Sequence, residues 1–210
     1  MSLLEESNYW DRFYSNRRKS APAYPSQFAA FAINEFTEVD GIIEFGCGNG
    51  RDSSFFAAYG FDMLCLDASA EAIELCRSRN QYPHVGYVHS PAAASREYIK
   101  AFLDGKRKVA VYARFFLHAI EEREASALLD LLGVLLPVQS QLFFEYRTVE
   151  DAEQEKIFGT EHYRRYLDHQ ETLENIQKAG FNVTYQIEGR GLAKYRDEDA
   201  KVGRCVAHKI

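Results

Sequence analysis

The stretch GIIEFGCGNGRDSS, residues 41–54, constrains this chain more than any other. It begins as a short apolar run, passes through Gly46, Gly48 and Gly50 at alternate positions, and ends in polar residues suited to a helix start. A strand, a tight glycine turn and a helix place backbone N–H groups and the positive helix end at the carboxyl edge of a sheet, where open α/β folds bind nucleotides. Absent side chains at three alternate positions predict that a ligand fills the space they vacate.

The remaining sequence alternates strand-like and helix-like segments without repeats or low-complexity tracts, which is the pattern of an α/β domain. Residues 7–18 and the segment SQFAAFAINEF after Pro25 read as helices. Strands follow at GIIEFG, FDMLCLD, HVGYVHS, KVAVYA and SQLFFEYR, with a helix after each. The last two strands, FNVTYQIEG and KVGRCVAHKI, have only a polar loop between them and are expected to pair antiparallel. The 210 residues suffice for one full core. We expect an N-terminal helical cover over 1–36 and the main domain over 37–210. A net charge of −6 gives no general attraction for nucleic acid or anionic lipid. With no membrane-spanning run and no signal-like N-terminus, a cytoplasmic protein is expected. Cys47, Cys65, Cys76 and Cys205 lack metal-ligand spacing, and neither a metal site nor a disulfide is expected.

A dinucleotide fingerprint needs a third glycine at position 51, where Arg51 stands instead. Glu44, two residues before Gly46, shares its side of the strand and would repel a pyrophosphate while attracting an amino or sulfonium group. Asp67 ends the second strand about 20 residues past the first glycine, where a carboxylate accepts hydrogen bonds from ribose hydroxyls. A ribose with a cationic group suggests S-adenosylmethionine. EFGCGNG followed by LCLDAS resembles motifs I and II of the class I S-adenosylmethionine-dependent methyltransferases. That resemblance, over about residues 25–210, implies an α/β, Rossmann-like fold: a seven-stranded, mostly parallel sheet with helices on both faces and an antiparallel terminal strand. It also implies cofactor contacts from Glu44, Gly46, Gly48, Gly50, Asp67 and Ala68, with Ser90 near the adenine in place of an acid. The aromatic segment YWDRFY resembles the cover that many members fold over the cofactor, with Tyr14 and Ser26 able to reach its polar groups. A nicotinamide-dependent oxidoreductase and a noncatalytic Rossmann-like binding domain remain the alternatives.

Acceptor recognition belongs at the ends of the fourth and fifth strands. Arg114 and His118 follow the fourth, Glu145 and Arg147 end the fifth, and His162, Arg164, Arg165 and Tyr166 precede the next helix. Planar guanidinium groups suit carboxylate or phosphate, so an anionic acceptor is expected, with Arg114, Arg147, Arg165 and Tyr166 binding it and His118 and His162 as catalytic candidates. His118 either orients the acceptor or takes its proton. The segment from FEYRT to the C-terminus more loosely resembles methyltransferase domains of bacterial surface-polysaccharide biosynthesis, which implies a small-molecule or glycan acceptor. The acidic balance and the lack of a basic tail argue against nucleic acid.

Overall fold

The computed structural model describes residues 10–15, 22–80, 82–152 and 164–210. Seven strands form one sheet in the order β3-β2-β1-β4-β5-β7-β6. They are β1 (Ile42–Phe45), β2 (Met63–Asp67), β3 (Val85–His89), β4 (Ala110–Arg114), β5 (Gln141–Arg147), β6 (Phe181–Gly189) and β7 (Val202–Lys209). The first five pair in parallel. β7 lies antiparallel between β5 and β6, so the terminal strand is the inserted one, as the resemblance implied.

β1, flanked by β2 and β4, is buried along its whole length, as befits an interior parallel strand covered on both faces. Its alternate side chains feed two cores: Ile43 and Phe45 join Leu64, Val111 and Phe144 on one face. Ile42 joins Phe28, Phe56, Met63 and Tyr112 on the other. Glu44 points to this second face, in register with Cys65 and Tyr112. The chain leaves β1 toward β2 on one side and returns through β4 on the other, and this reversal opens a crevice at the carboxyl ends of the strands.

The helices end where the sequence punctuates them. Ser26, just after Pro25, caps the helix Gln27–Glu35 by accepting from the Ala29 N–H at 3.0 Å. Gly60 and Gly180 take positive φ just beyond the helices Arg51–Ala58 and His169–Lys178. Among the described residues no helix is long and apolar enough to cross a membrane.

Gly133 lies inside the helix Glu122–Leu135, where glycine ordinarily costs roughly 0.5–1 kcal/mol relative to alanine. A Cβ there would run into the backbone carbonyl oxygen of Ala179, which cannot swing aside. Gly133→Ala is therefore expected to destabilise by about 1–3 kcal/mol despite better helix propensity. Urea unfolding reads the sign, and a higher midpoint in the variant would show that the close approach does not limit this position.

Candidate functional site

A cavity of about 570 Å³ opens at the carboxyl edge of β1, β2 and β4. Gly46, Gly48 and Gly50 turn the chain there with φ of 70°, 55° and 75°, the left-handed region in which only glycine is unstrained. Their missing side chains leave room for neighbouring protein side chains. An added Cβ would meet Phe116 at 2.9 Å from Gly46, the Tyr14 hydroxyl at 2.5 Å from Gly48, and the Cys76 sulfur at 2.8 Å from Gly50. Gly46 and Gly48 line the cavity, whereas Gly50 packs on the Cys76 helix and lies outside the lining.

Asp67 stands at the cavity wall with Ala68 and Ser90. Its Oδ2 accepts from the Gly48 N–H at 2.8 Å and its Oδ1 from the Ser69 N–H at 2.9 Å. Each oxygen keeps a further acceptor site. Burial raises its carboxyl above the usual range. The Ser90 hydroxyl turns back onto the Pro91 carbonyl at 3.0 Å. Glu44 is buried, and its Oε2 has no hydrogen-bond partner among the described residues although the side chain lines the cavity. Burial, reinforced by the Asp52 carboxylate, pushes its carboxyl well above the ordinary value. An orphaned buried oxygen of this kind is what a cationic ligand group would satisfy.

Ser26 also borders the cavity, but its polar groups are committed elsewhere. Its N–H and hydroxyl donate to the two oxygens of Asp52 at 2.7 and 2.8 Å, and the Tyr112 hydroxyl donates to the same carboxylate at 2.9 Å. Ser26 thus holds the start of the helix after the glycine turn, where the sequence had suggested a cofactor contact. The segment 10–15 is helical, and Trp10, Phe13 and Tyr14 pack together over the cavity, with Trp10 and Tyr14 stacked at 6.2 Å between ring centroids. Asp11 fastens this cover by accepting from the Ser69 hydroxyl at 2.6 Å.

At the opposite end the residues expected to bind an anion are already engaged. Arg147 is buried, donating to Asp151 at 2.6 Å and to Glu198. Arg114 donates through Nε to Glu145 at 2.8 Å, and that carboxylate also takes Arg204. Both guanidinium groups rest on the Phe115 ring, 4.1 and 5.2 Å from its centroid, and Phe115 itself has a φ of 56°. Arg165 faces Glu122 at 3.8 Å and, with Tyr166, lies outside the cavity lining, where Arg164 stands instead. His118 lines the cavity, and its Nδ1 accepts from the Arg147 N–H at 3.0 Å. That bond places the ring proton of neutral His118 on Nε2, so the geometry favours orientation over proton abstraction. His162 lies outside the described residues.

Sequence reasoning missed Asp11, Asp52, Phe115 and Phe116, and the loop residues Lys194, Tyr195 and Glu198. Only Asp52 left a local signal, an acid in a first helical turn.

The raised pKa of Glu44 sets a direction for stability. The folded chain holds this proton more tightly than the unfolded one, so its contribution is present below the ordinary carboxyl pKa of about 4.3 and is lost as pH rises through the folded value. Glu44→Gln should therefore unfold at higher urea than wild type at pH 8, with the gap closing toward pH 4. Urea titrations across that range check the sign, and a gap that widens on acidification would show that Glu44 is not held protonated.

A family model described as a methyltransferase domain matches residues 42–137. N-Demethylindolmycin N-methyltransferase from Streptomyces griseus is 32% identical over 71 residues, 32% of this chain and 30% of that enzyme, so the match spans less than a third of its length. The fold is shared with a S-adenosylmethionine-dependent methyltransferase of Anabaena variabilis, with a TM-score of 0.74 at 20% identity over 100% of this chain and 96% of that one. A glycopeptide N-methyltransferase solved with S-adenosylmethionine aligns with a TM-score of 0.65 at 14% identity over 93% of this chain and 99% of its own. The domain match falls on the glycine turn and Asp67, and the fold shared with S-adenosylmethionine-dependent methyltransferases extends over the later strands.

Proposed function

We propose that this chain transfers the methyl group of S-adenosylmethionine to a small-molecule acceptor carrying an anionic group. The observation that carries this reading is one cavity running from the glycine turn and Asp67 to Phe115, His118 and Lys194. When bound, the cofactor supplies a methyl group already activated by its sulfonium. Asp67 would accept from the ribose hydroxyls, Glu44 would take the amino group, and Ala68 and Ser90 would border the adenine. The aromatic cover of Trp10, Phe13 and Tyr14 excludes water from the same space. His118, its Nδ1 held by Arg147, orients the acceptor.

The anionic preference rests on other cations than the sequence suggested. Arg147 is matched by two carboxylates and Arg165 lies outside the cavity lining, so the reading rests on the exposed Lys194 at the acceptor end. An ionised phosphate or carboxylate acceptor needs no general base. An amine acceptor is the second reading: two of the similar proteins are N-methyltransferases, and the carboxylate of Glu124 lines this end of the cavity.

Asp67→Ala should weaken S-adenosylmethionine by roughly 1.5–3 kcal/mol in calorimetry, the range for hydrogen bonds to a charged group. The variant should lose little for a 2′-deoxy analogue, and equal losses for both ligands would remove the ribose assignment. A methyl-transfer assay across phosphorylated, carboxylated, neutral and amine acceptors tests the second half. Lys194→Glu should raise KM for anionic acceptors by about two- to tenfold with kcat retained. Selective methylation of amines, unaffected by Lys194→Glu, would replace the anionic reading with the amine one.

A further inference from the structure

Of the non-glycine residues with positive φ among the described residues, Phe115 alone is aromatic and alone lines the cavity. Its φ of 56° lies in the left-handed region, which disfavours a bulky side chain and which glycine or asparagine adopts at less cost. The turn itself has a structural use. It ends β4, where the Phe115 N–H donates to the Glu145 carbonyl at 2.7 Å, and it sends Phe116 back toward Phe45 and Gly46. None of that requires a ring at position 115. Strain kept in a cavity wall, where an unstrained residue would make the same turn, points to a use for the side chain. The ring is partly exposed and stands among the groups of the acceptor end. The guanidinium carbons of Arg114 and Arg147 lie 4.1 and 5.2 Å from its centroid, and the His118 imidazole lies 5.3 Å away, tilted by 51°. It packs against the cluster of Ala193, Ala200 and Val202, and the exposed Lys194 follows Ala193 directly.

We propose that Phe115 is a specificity residue for the methyl acceptor, its ring serving as a platform on which a planar, conjugated ring of the acceptor stacks. Two features favour a planar ring over a saturated one. Cations over an aromatic face draw its electron density toward them, so the surface they leave uncovered suits an electron-rich ring, such as one bearing an anionic group. The two guanidinium groups are themselves held, Arg114 by Glu145 and Arg147 by Asp151 and Glu198, so the ring is fixed before an acceptor arrives. A flat, immobile wall gains most from a flat ligand. The acceptor class is then an aryl or otherwise conjugated anion, with the ring on Phe115 and Lys194 as the neighbouring cation.

This inference rests on the anionic-acceptor reading above, and the test separates the two. With S-adenosylhomocysteine present, binding of 2-naphthoate, its saturated counterpart decahydro-2-naphthoate and 2-naphthylmethylamine is measured by calorimetry for wild type, Phe115→Tyr and Phe115→Leu. Tyrosine keeps the aromatic face, whereas leucine keeps apolar bulk without one. Wild type should bind 2-naphthoate about two- to tenfold more tightly than the saturated compound, the range of an aromatic pair. Phe115→Tyr should keep that ratio, and Phe115→Leu should bring it to about one. S-Adenosylhomocysteine itself should bind all three proteins within about twofold, because Phe116 rather than Phe115 lies against the glycine turn. Equal binding of the planar and saturated carboxylates by wild type, or a ratio that survives in Phe115→Leu, would overturn the platform. Loss of S-adenosylhomocysteine together with both carboxylates in Phe115→Leu would assign the ring to packing and overturn it as well, as would failure of wild type to bind any of the three probes. A wild-type preference for 2-naphthylmethylamine over 2-naphthoate, with the amine's binding weakened in Phe115→Leu but not in Phe115→Tyr, would support the platform and replace the anionic reading with the amine one.

Discussion

The backbone reversal at Gly46, Gly48 and Gly50 is the constraint on which the rest of the site depends. It continues the hydrogen bonding of the sheet: the N–H groups of Gly46 and Cys47 both reach the Leu66 carbonyl, at 2.8 and 3.2 Å, and that of Gly48 reaches Asp67. Because the three glycines take positive φ, the chain turns within a few residues from an interior strand into a helix. Three separate elements then close onto the turn, with Phe116 beside Gly46, Tyr14 beside Gly48 and Cys76 beside Gly50. A side chain at any of these positions would displace a different part of the protein.

The buried carboxylate of Asp52 locks this arrangement. It stands in the first turn of the helix that follows, where a negative charge suits the positive helix end, and three hydrogen bonds from Ser26 and Tyr112 satisfy it. One side chain thereby joins the glycine turn, the cap of an earlier helix and the middle strand β4.

At the far end of the cavity the charges largely cancel. Glu145 stands between Arg114 and Arg204, and Arg147 lies between Asp151 and Glu198. These pairs fasten the loop before β7 to the ends of β4 and β5, with Phe115 packed beneath two guanidinium groups and against the cluster of Ala193, Ala200 and Val202. In sequence the arginines read as an anion trap because most of their carboxylates arrive from elsewhere: Asp151 is local to Arg147, but Glu198 is 51 positions from it and Glu145 is 31 from Arg114. Buried charges are paired as a rule, and the pairing converts an apparent binding surface into a brace.

The elements themselves were legible because each carries its own local cause. Strand-like apolar runs, Ser26 before a helix, Gly60 and Gly180 after one, and Pro137 beyond another mark boundaries through short-range sterics and hydrogen bonding. That Glu44, Gly46, Gly48 and Asp67 share one cavity wall was legible for the same reason: they lie within one strand–turn–helix–strand unit, and the strand periodicity of two shows which side chains share a face. Tertiary structure alone decided what could be left over for a ligand. Whether a glycine's empty space is filled by Phe116, Tyr14 or a cofactor, and whether an arginine is paired or free, depends on residues brought in from distant segments. A charge's availability is set by the partners that burial forces upon it, and those partners are chosen by packing across the whole fold rather than by neighbours along the chain.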